Sequence, residues 1–332
     1  MAHPSFSDQI AVIRVDENKF VSKLHPKRMA NVLPIAYGGC TASIAVHAAC
    51  HTVKPTYHIS SILGTFLGPT RVDRPINCTV THTRNTKTFA TRRVVASQTL
   101  DDGSERPCAE LTCDFHVLEP ALFTYSAPPS RAYGSGPLDP QSTQPTSDII
   151  ERLVRDNHIT REAGDNHSSM FTMYESFFST RQCTDGVSAQ NLMGVAKNRP
   201  TTQDHLSITD KSSAEYVKFK QVFPTERENA AALAFLMDGS LSFLPLNLDH
   251  KNFDDCGACS TLDFAMRIMG PLDGLEGWLF RERKTIAAGA GRTYSEARLW
   301  DEQGRMVAVH NQSCIARVPP SQGQEGKERA KI

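Results

Sequence analysis

The chain has 332 residues, room for two domains with separate cores. Lys+Arg and Asp+Glu stand at 36 each, so it lacks the basic excess of a nucleic-acid binder. The longest apolar runs, such as Ala231 to Met237, are too short to span a bilayer. Nine scattered cysteines, an odd count, fit buried thiols in a reducing compartment. Met1-Ala2-His3-Pro4-Ser5 has no basic region leading into an apolar stretch, so no secretory leader is expected.

Along the chain, Tyr37-Gly38-Gly39 precedes a run of small residues from Cys40 to Ala49, which predicts a buried helix starting near the glycines. Strands rich in Thr, Val, Ile and Phe follow at Tyr57 to Leu67, Ile76 to Arg84, Thr88 to Thr99 and Cys108 to Leu118. Ser126 to Pro145 holds five prolines and is expected to be a linker. Beyond it we expect a short helix at Ile149 to Asp156 and an aromatic strand at Ser169 to Ser179. A long polar loop is expected at Thr184 to Ser213, then a strand at Tyr216 to Val222.

Glu228 to Leu244 predicts a second apolar helix, with Leu233, Leu236, Met237, Leu241 and Leu244 at helical spacing. Four strands follow: Ser260 to Met269, Trp278 to Ala288, Thr293 to Asp301 and Arg305 to Val318. Each half is thus a helix followed by an antiparallel meander. A faint repeat accompanies this order, since Gly68-Pro69 recurs as Gly270-Pro271 at an offset of 202 residues. The pattern predicts an α+β fold in which a sheet wraps one central helix, built twice.

Asp238 lies between the apolar run Ala231 to Met237 and Gly239 to Leu244. In such a run a carboxylate is either desolvated toward a useful base, or sits on a wet face or caps the next turn. Thr261, which begins a strand, and Gln312, which alternates with Met306, Ala308, His310 and Cys314 in the last strand, read alone as structural hydrogen bonders. Arg84, Lys87, Arg92 and Arg93 cluster on one hairpin, suited to phosphates or to a solvated face. Cys256-Gly-Ala-Cys259 and His47/His51 have metal-like spacing without the remaining ligands, so no metal is expected. No Gly-x-Ser-x-Gly elbow is present.

Several motifs resemble those of the acyl-CoA thioesterase II (TesB-like) family. They include Tyr37-Gly38-Gly39-Cys40, the frame Phe66…Pro75-Ile76, and Thr88-Phe89-Ala90-Thr91-Arg92-Arg93-Val94. In the second half they are Asp238 to Pro245, Thr261-Leu262-Asp263-Phe264-Ala265-Met266, Trp278-Leu279-Phe280 and Gln303-Gly304 to Gln312. The chain departs from the family's pattern at Cys40, Phe264 and Ser313-Cys314.

The resemblance implies a double hotdog: an N-terminal hotdog at 1–122, a Pro-rich linker at 123–147, a C-terminal hotdog at 148–318 and a tail at 319–332. It implies hydrolysis of an acyl thioester to free acid and CoA without a cofactor. The catalytic Asp, Thr and Gln fall on Asp238, Thr261 and Gln312. Substrate would be met by backbone near Gly38, Gly39 and Gly239, with Arg92 and Arg93 as candidates for CoA phosphates. Alternatives are release of an acyl or polyketide chain from a carrier protein, or non-catalytic acyl-CoA binding. A homo-oligomer is expected. At the 202-residue offset Asp238, Thr261 and Gln312 fall on Ala36, Ile59 and Glu110, so one site per chain is expected. The terminal Ala330-Lys331-Ile332 resembles a relaxed peroxisomal address, with cytoplasm as the alternative.

Overall fold

The computed structural model describes residues 4–319 apart from 32, 131–138 and 273–274. Part of the expected linker, and the C-terminal tripeptide, lie outside the described residues. The first half contains α1 (Phe6–Ile10), β1 (Val12–Asp16), β2 (Lys19–Ser22), α2 (Gly38–Cys50), β3 (Tyr57–Phe66), β4 (Asn77–Asn85), β5 (Phe89–Thr99) and β6 (Glu105–Val117). The second contains β7 (Gln144–Pro145), α3 (Thr146–Arg155), α4 (Arg161–Phe177), β8 (Phe178–Gln182), α5 (Val187–Gln190) and β9 (Ser213–Phe219). It continues with α6 (Glu226–Met237), α7 (Leu244–Leu248), β10 (Ala258–Ile268), β11 (Leu279–Gly289), β12 (Arg292–Trp300) and β13 (Met306–Arg317).

All the strands join one antiparallel sheet in the order β1-β2-β4-β5-β6-β3-β10-β13-β12-β11-β9-β8-β7. The halves meet edge to edge at β3 and β10, where Leu63 pairs with Ala265. These two positions differ by the 202 residues of the sequence repeat, so the register centres the pairing of the two copies on them. The register also breaks at matching places, between Ile59 and Ser61 in β3 and between Thr261 and Asp263 in β10. The architecture is a double hotdog.

Helix α2 is buried at every position from Gly39 to Cys50, and α6 from Asn229 to Met237. A helix apolar all round has no wet face and must be enclosed. Their Ala, Gly, Ser and Cys side chains let the two axes approach, and they pack on each other while α2 lies on β3 to β6. They run antiparallel. Tyr37 Oη, before α2, donates to Phe235 O near the end of α6 at 2.8 Å. At the other end Arg227 Nη1 reaches His51 Nδ1 at 3.2 Å.

Five expectations need correction. Ser169 to Ser179 is not a strand: α4 runs to Phe177 and β8 begins only at Phe178. Its buried residues Gly164, His167, Phe171 and Tyr174 recur at steps of three and four, a helical face, and Thr160 caps its start by accepting from Ala163 N–H. The aromatic content suggested a strand, and the helical period outweighs it. Glu228 to Leu244 is not one helix. It stops at Met237 because Ser240 takes a left-handed φ of 76°, and α7 restarts at Leu244. Thr184 to Ser213 is more than a polar loop: Ala189, Leu192 and Ala196 form a small core with Ile149, Ile150 and Leu153. Finally, Gln312 has a different counterpart. Ile59 pairs with Phe115 as Thr261 pairs with Cys314, so the last strands are offset by 199 residues and Gln312 matches Cys113, not Glu110. Asp238 holds the C-cap of α6, which in α2 is held by His51 rather than Ala36.

Candidate active site

Asp238 is where it is because α6 ends there. Its backbone is still helical, and 9% of the residue is exposed. The antiparallel pairing of the helices aims this end at the start of α2. That start lacks a side-chain cap of its own, since Tyr37 supplies none. Gly39 N–H hydrogen bonds the Asp238 carboxylate, so one helix's C-cap serves the other helix's orphan donors and positive dipole end. The glycine pair is needed for the approach. A Cβ on Gly38 would sit 3.0 Å from Asp238 Oδ2 and 2.9 Å from Phe66 Cζ; one on Gly39 would sit 2.8 Å from Phe235 O.

Gln312 comes from the inward face of β13 and is fully buried. Its Nε2 donates to Asp238 Oδ1 at 2.5 Å. Its Oε1 accepts from Thr261 Oγ1 at 3.3 Å. Thr261 sits at the β10 bulge, a device that redirects a side chain out of the regular alternation. The three residues therefore form a continuous hydrogen-bonded chain, Thr261 to Gln312 to Asp238.

Burial pushes the Asp238 carboxyl up to about 6; the bonds from Gln312 and Gly39 and the charge of Arg281 act in the opposite direction. A carboxylate so tuned can take a proton near neutrality. Gln312 presents its amide to a charge, and Thr261, which donates to Gln312 and accepts from the Cys314 thiol, has a second oxygen lone pair.

Arg281 was not singled out from the sequence. It is buried beside the site and donates to Leu236 O, Tyr174 Oη and Glu215. Burial alone would raise Glu215, but Arg281 and Arg283 hold it down to about 2. The available signal was the charged triplet Arg281-Glu282-Arg283 inside an otherwise strand-like apolar run. A narrow cavity of about 40 Å³ adjoins Ser240 and Arg281 and is walled by His167, Phe171, Leu192 and Met193; Asp238 itself does not line it.

The remaining expected residues lie elsewhere or are committed. Gly239 N–H bonds Leu236 O at 3.2 Å. Arg92 is 3% exposed and bonds Thr52, Arg84 O and Asn85, tying the end of α2 to the sheet. Arg93 points to the opposite face and pairs with Glu110. Neither arginine joins the Asp238 chain. The thiols of Cys256 and Cys259 donate to backbone carbonyls of Ala258 and Ser242.

The acyl-CoA thioesterase N-terminal domain matches residues 25–116, and the acyl-CoA thioesterase C-terminal domain matches residues 184–316. Among solved structures, the chain is similar to the acyl-CoA thioesterase II TesB2 of Mycobacterium marinum (16% identity, 95% of this chain and 99% of that one, TM-score 0.65). It is also similar to a TesB protein of Mycobacterium avium subspecies paratuberculosis (16%, 95% and 98%, 0.67) and to a hotdog protein of Alicyclobacillus acidocaldarius (13%, 96% and 100%, 0.66). At these identities the structural likeness speaks for the fold. Among curated protein sequences none matches. Fold and domain matches together define a double-hotdog thioester hydrolase. Within that class, the chain belongs to the acyl-CoA thioesterase family.

Proposed function

We propose that the protein hydrolyses an acyl-CoA to a free acid and CoA with a water held by Asp238, Thr261 and Gln312. The observation that carries this is the hydrogen-bonded chain linking the three side chains at the buried start of α2. Water donates one hydrogen to Asp238 and the other to Thr261 Oγ1, whose own proton is directed to Gln312 Oε1. Gln312 fixes the carboxylate's orientation through Oδ1, leaving Oδ2 toward Gly38.

Attack on the thioester carbon transfers the water's proton to Asp238 and places negative charge on the carbonyl oxygen. Gly38 N–H, the first residue of α2, has no acceptor among the described residues and is the donor placed to meet that charge. Collapse breaks the carbon–sulfur bond, and Asp238 returns the proton to the leaving thiolate. One site per chain follows, because the matching positions in the other half are His51, Ile59 and Cys113. The test is incubation of the purified chain with a panel of acyl-CoAs, following free thiol and free acid together. Equal release of both from at least one acyl-CoA is expected; saturable binding without release from any would make the protein an acyl-CoA binder instead.

A further inference from the structure

The fold repeats the place of the active site without repeating its residues. At the far ends of the two central helices, where α2 finishes and α6 begins, there is a cavity of about 250 Å³. His51 caps α2 there with φ −71° and ψ −10°, close to the −67° and −19° of Asp238 on α6. Glu226 and Arg227 stand at the first two positions of α6, as Gly38 and Gly39 do in α2. Ile59 lines the cavity at the bulge position of Thr261.

The substitutions change what the cavity can hold. No hydroxyl, amide or carboxyl of the hydrolytic chain is present at these positions. Most of the wall is apolar, formed by Cys50, Val53, Pro55, Tyr57, Ile59 and Phe115, with Thr225 and Glu226 at the α6 end. At about 30 Å³ for a liquid water the space equals about eight waters, enough for an acyl chain of comparable bulk. Lys54 and Arg227 also line it. Neither forms an ion pair with a carboxylate among the described residues. Glu226 is already held by His58 Nδ1. Arg227 Nη1 meets the imidazole of His51, and burial, with His47 and Arg227 adding, pushes that imidazole down to about 4. A neutral imidazole accepts a hydrogen bond without neutralising the guanidinium charge.

From this geometry we infer a second, non-catalytic ligand site that takes a carboxylic acid with an apolar tail, its carboxylate on Arg227 and Lys54 and its chain against Val53, Ile59 and Phe115. This is the chemical class that thioester hydrolysis releases, but the site is independent of whether Asp238 is the base. Two hydrogen-bonding cations on one carboxylate, with an apolar chain enclosed behind it, is a combination an alcohol of the same length does not satisfy.

The test is methyl-resolved NMR of the full chain titrated with decanoate, beside 1-decanol. Saturable shifts of the Val53 and Ile59 methyls are expected with decanoate in both the native protein and Asp238→Asn. Arg227→Gln should weaken that binding about tenfold or more, as loss of a charged hydrogen bond does, and Lys54→Gln, on an exposed side chain that leaves the fold alone, should act in the same direction. Thioester turnover of both variants should be unchanged. Absence of saturable shifts at Val53 and Ile59, equal response to decanol, or decanoate binding indifferent to both charge changes would each overturn the assignment. Turnover is measured separately, so a chain that hydrolyses nothing but shows these shifts overturns only the hydrolytic reading.

Discussion

Replacing Asp238 by Asn removes the titrating carboxyl while keeping its size, and two consequences can be worked out. The first is catalytic. A positioned general base contributes roughly 10²–10⁴-fold, so turnover should fall by that factor with the chain still folded. In the native enzyme kcat/KM should drop as pH falls through about 6, because the base form is lost there. The second is energetic. The folded carboxyl titrates at about 6 against an unfolded value of 3.8, so the folded state holds the proton more tightly. Stability is therefore greatest below the unfolded value and falls as pH rises through about 6. At about 1.4 kcal/mol per pH unit the total fall is about 3 kcal/mol. Asn also faces the donors Gln312 and Gly39 with an amide N–H, a penalty that is the same at every pH. The pH-dependent difference between native protein and variant isolates the carboxyl. Urea unfolding at about pH 4 and about pH 8 should show that difference changing by about 2.5 kcal/mol, in favour of the variant at the higher pH. Retention of more than about a tenth of native turnover, or parallel stability curves for the two proteins, would refute the reasoning.

Other changes probe the neighbours. Gln312→Ala removes a donor that lowers the Asp238 pKa, so the acidic limb of the activity profile should move to higher pH; an unmoved limb would show that the amide does not act on the carboxylate. Thr261→Val should reduce kcat with little change in KM, whereas Thr261→Ser should retain most of the rate, measured by thiol release. Gly39→Ala places a methyl against the carbonyl of Phe235 and should cost about 1–3 kcal/mol in urea unfolding, as overpacking does. Arg281→Met leaves Glu215 buried with Arg283 and the amide of Gln182 as its remaining partners and should destabilise by about 3–5 kcal/mol, read in the same experiment.

The central elements were legible in the sequence for local reasons. The glycine pair before a small-residue run marked the start of α2, and Thr, Val and Ile content with turn dipeptides marked the strands. Asp238 stood out because a carboxylate amid apolar residues is rare. α4 was missed because its aromatic residues suggested a strand, while their three–four spacing among polar residues carried the true period. Arg281 and Glu215 were missed because they are 66 residues apart and only the sheet brings them into contact. The arginines of the first hairpin show the reverse: a basic cluster in sequence divides across the two faces of β5, one member buried in bonds and the other paired on the surface.

By itself the sequence determined that one helix-and-meander unit is used twice, because periodicity, turn residues and helix starts are encoded over a few neighbouring positions. Only the tertiary structure decided that Gln312 reaches Asp238 across 74 residues of chain, and that Thr261 meets Gln312 rather than facing away. It also decided that the copy of this place at the far end of the helices is an apolar cavity rimmed by cations. The physical reason is that these meetings depend on the antiparallel contact of two buried helices and on the β3–β10 register. Both arise from long-range packing, which no local pattern specifies.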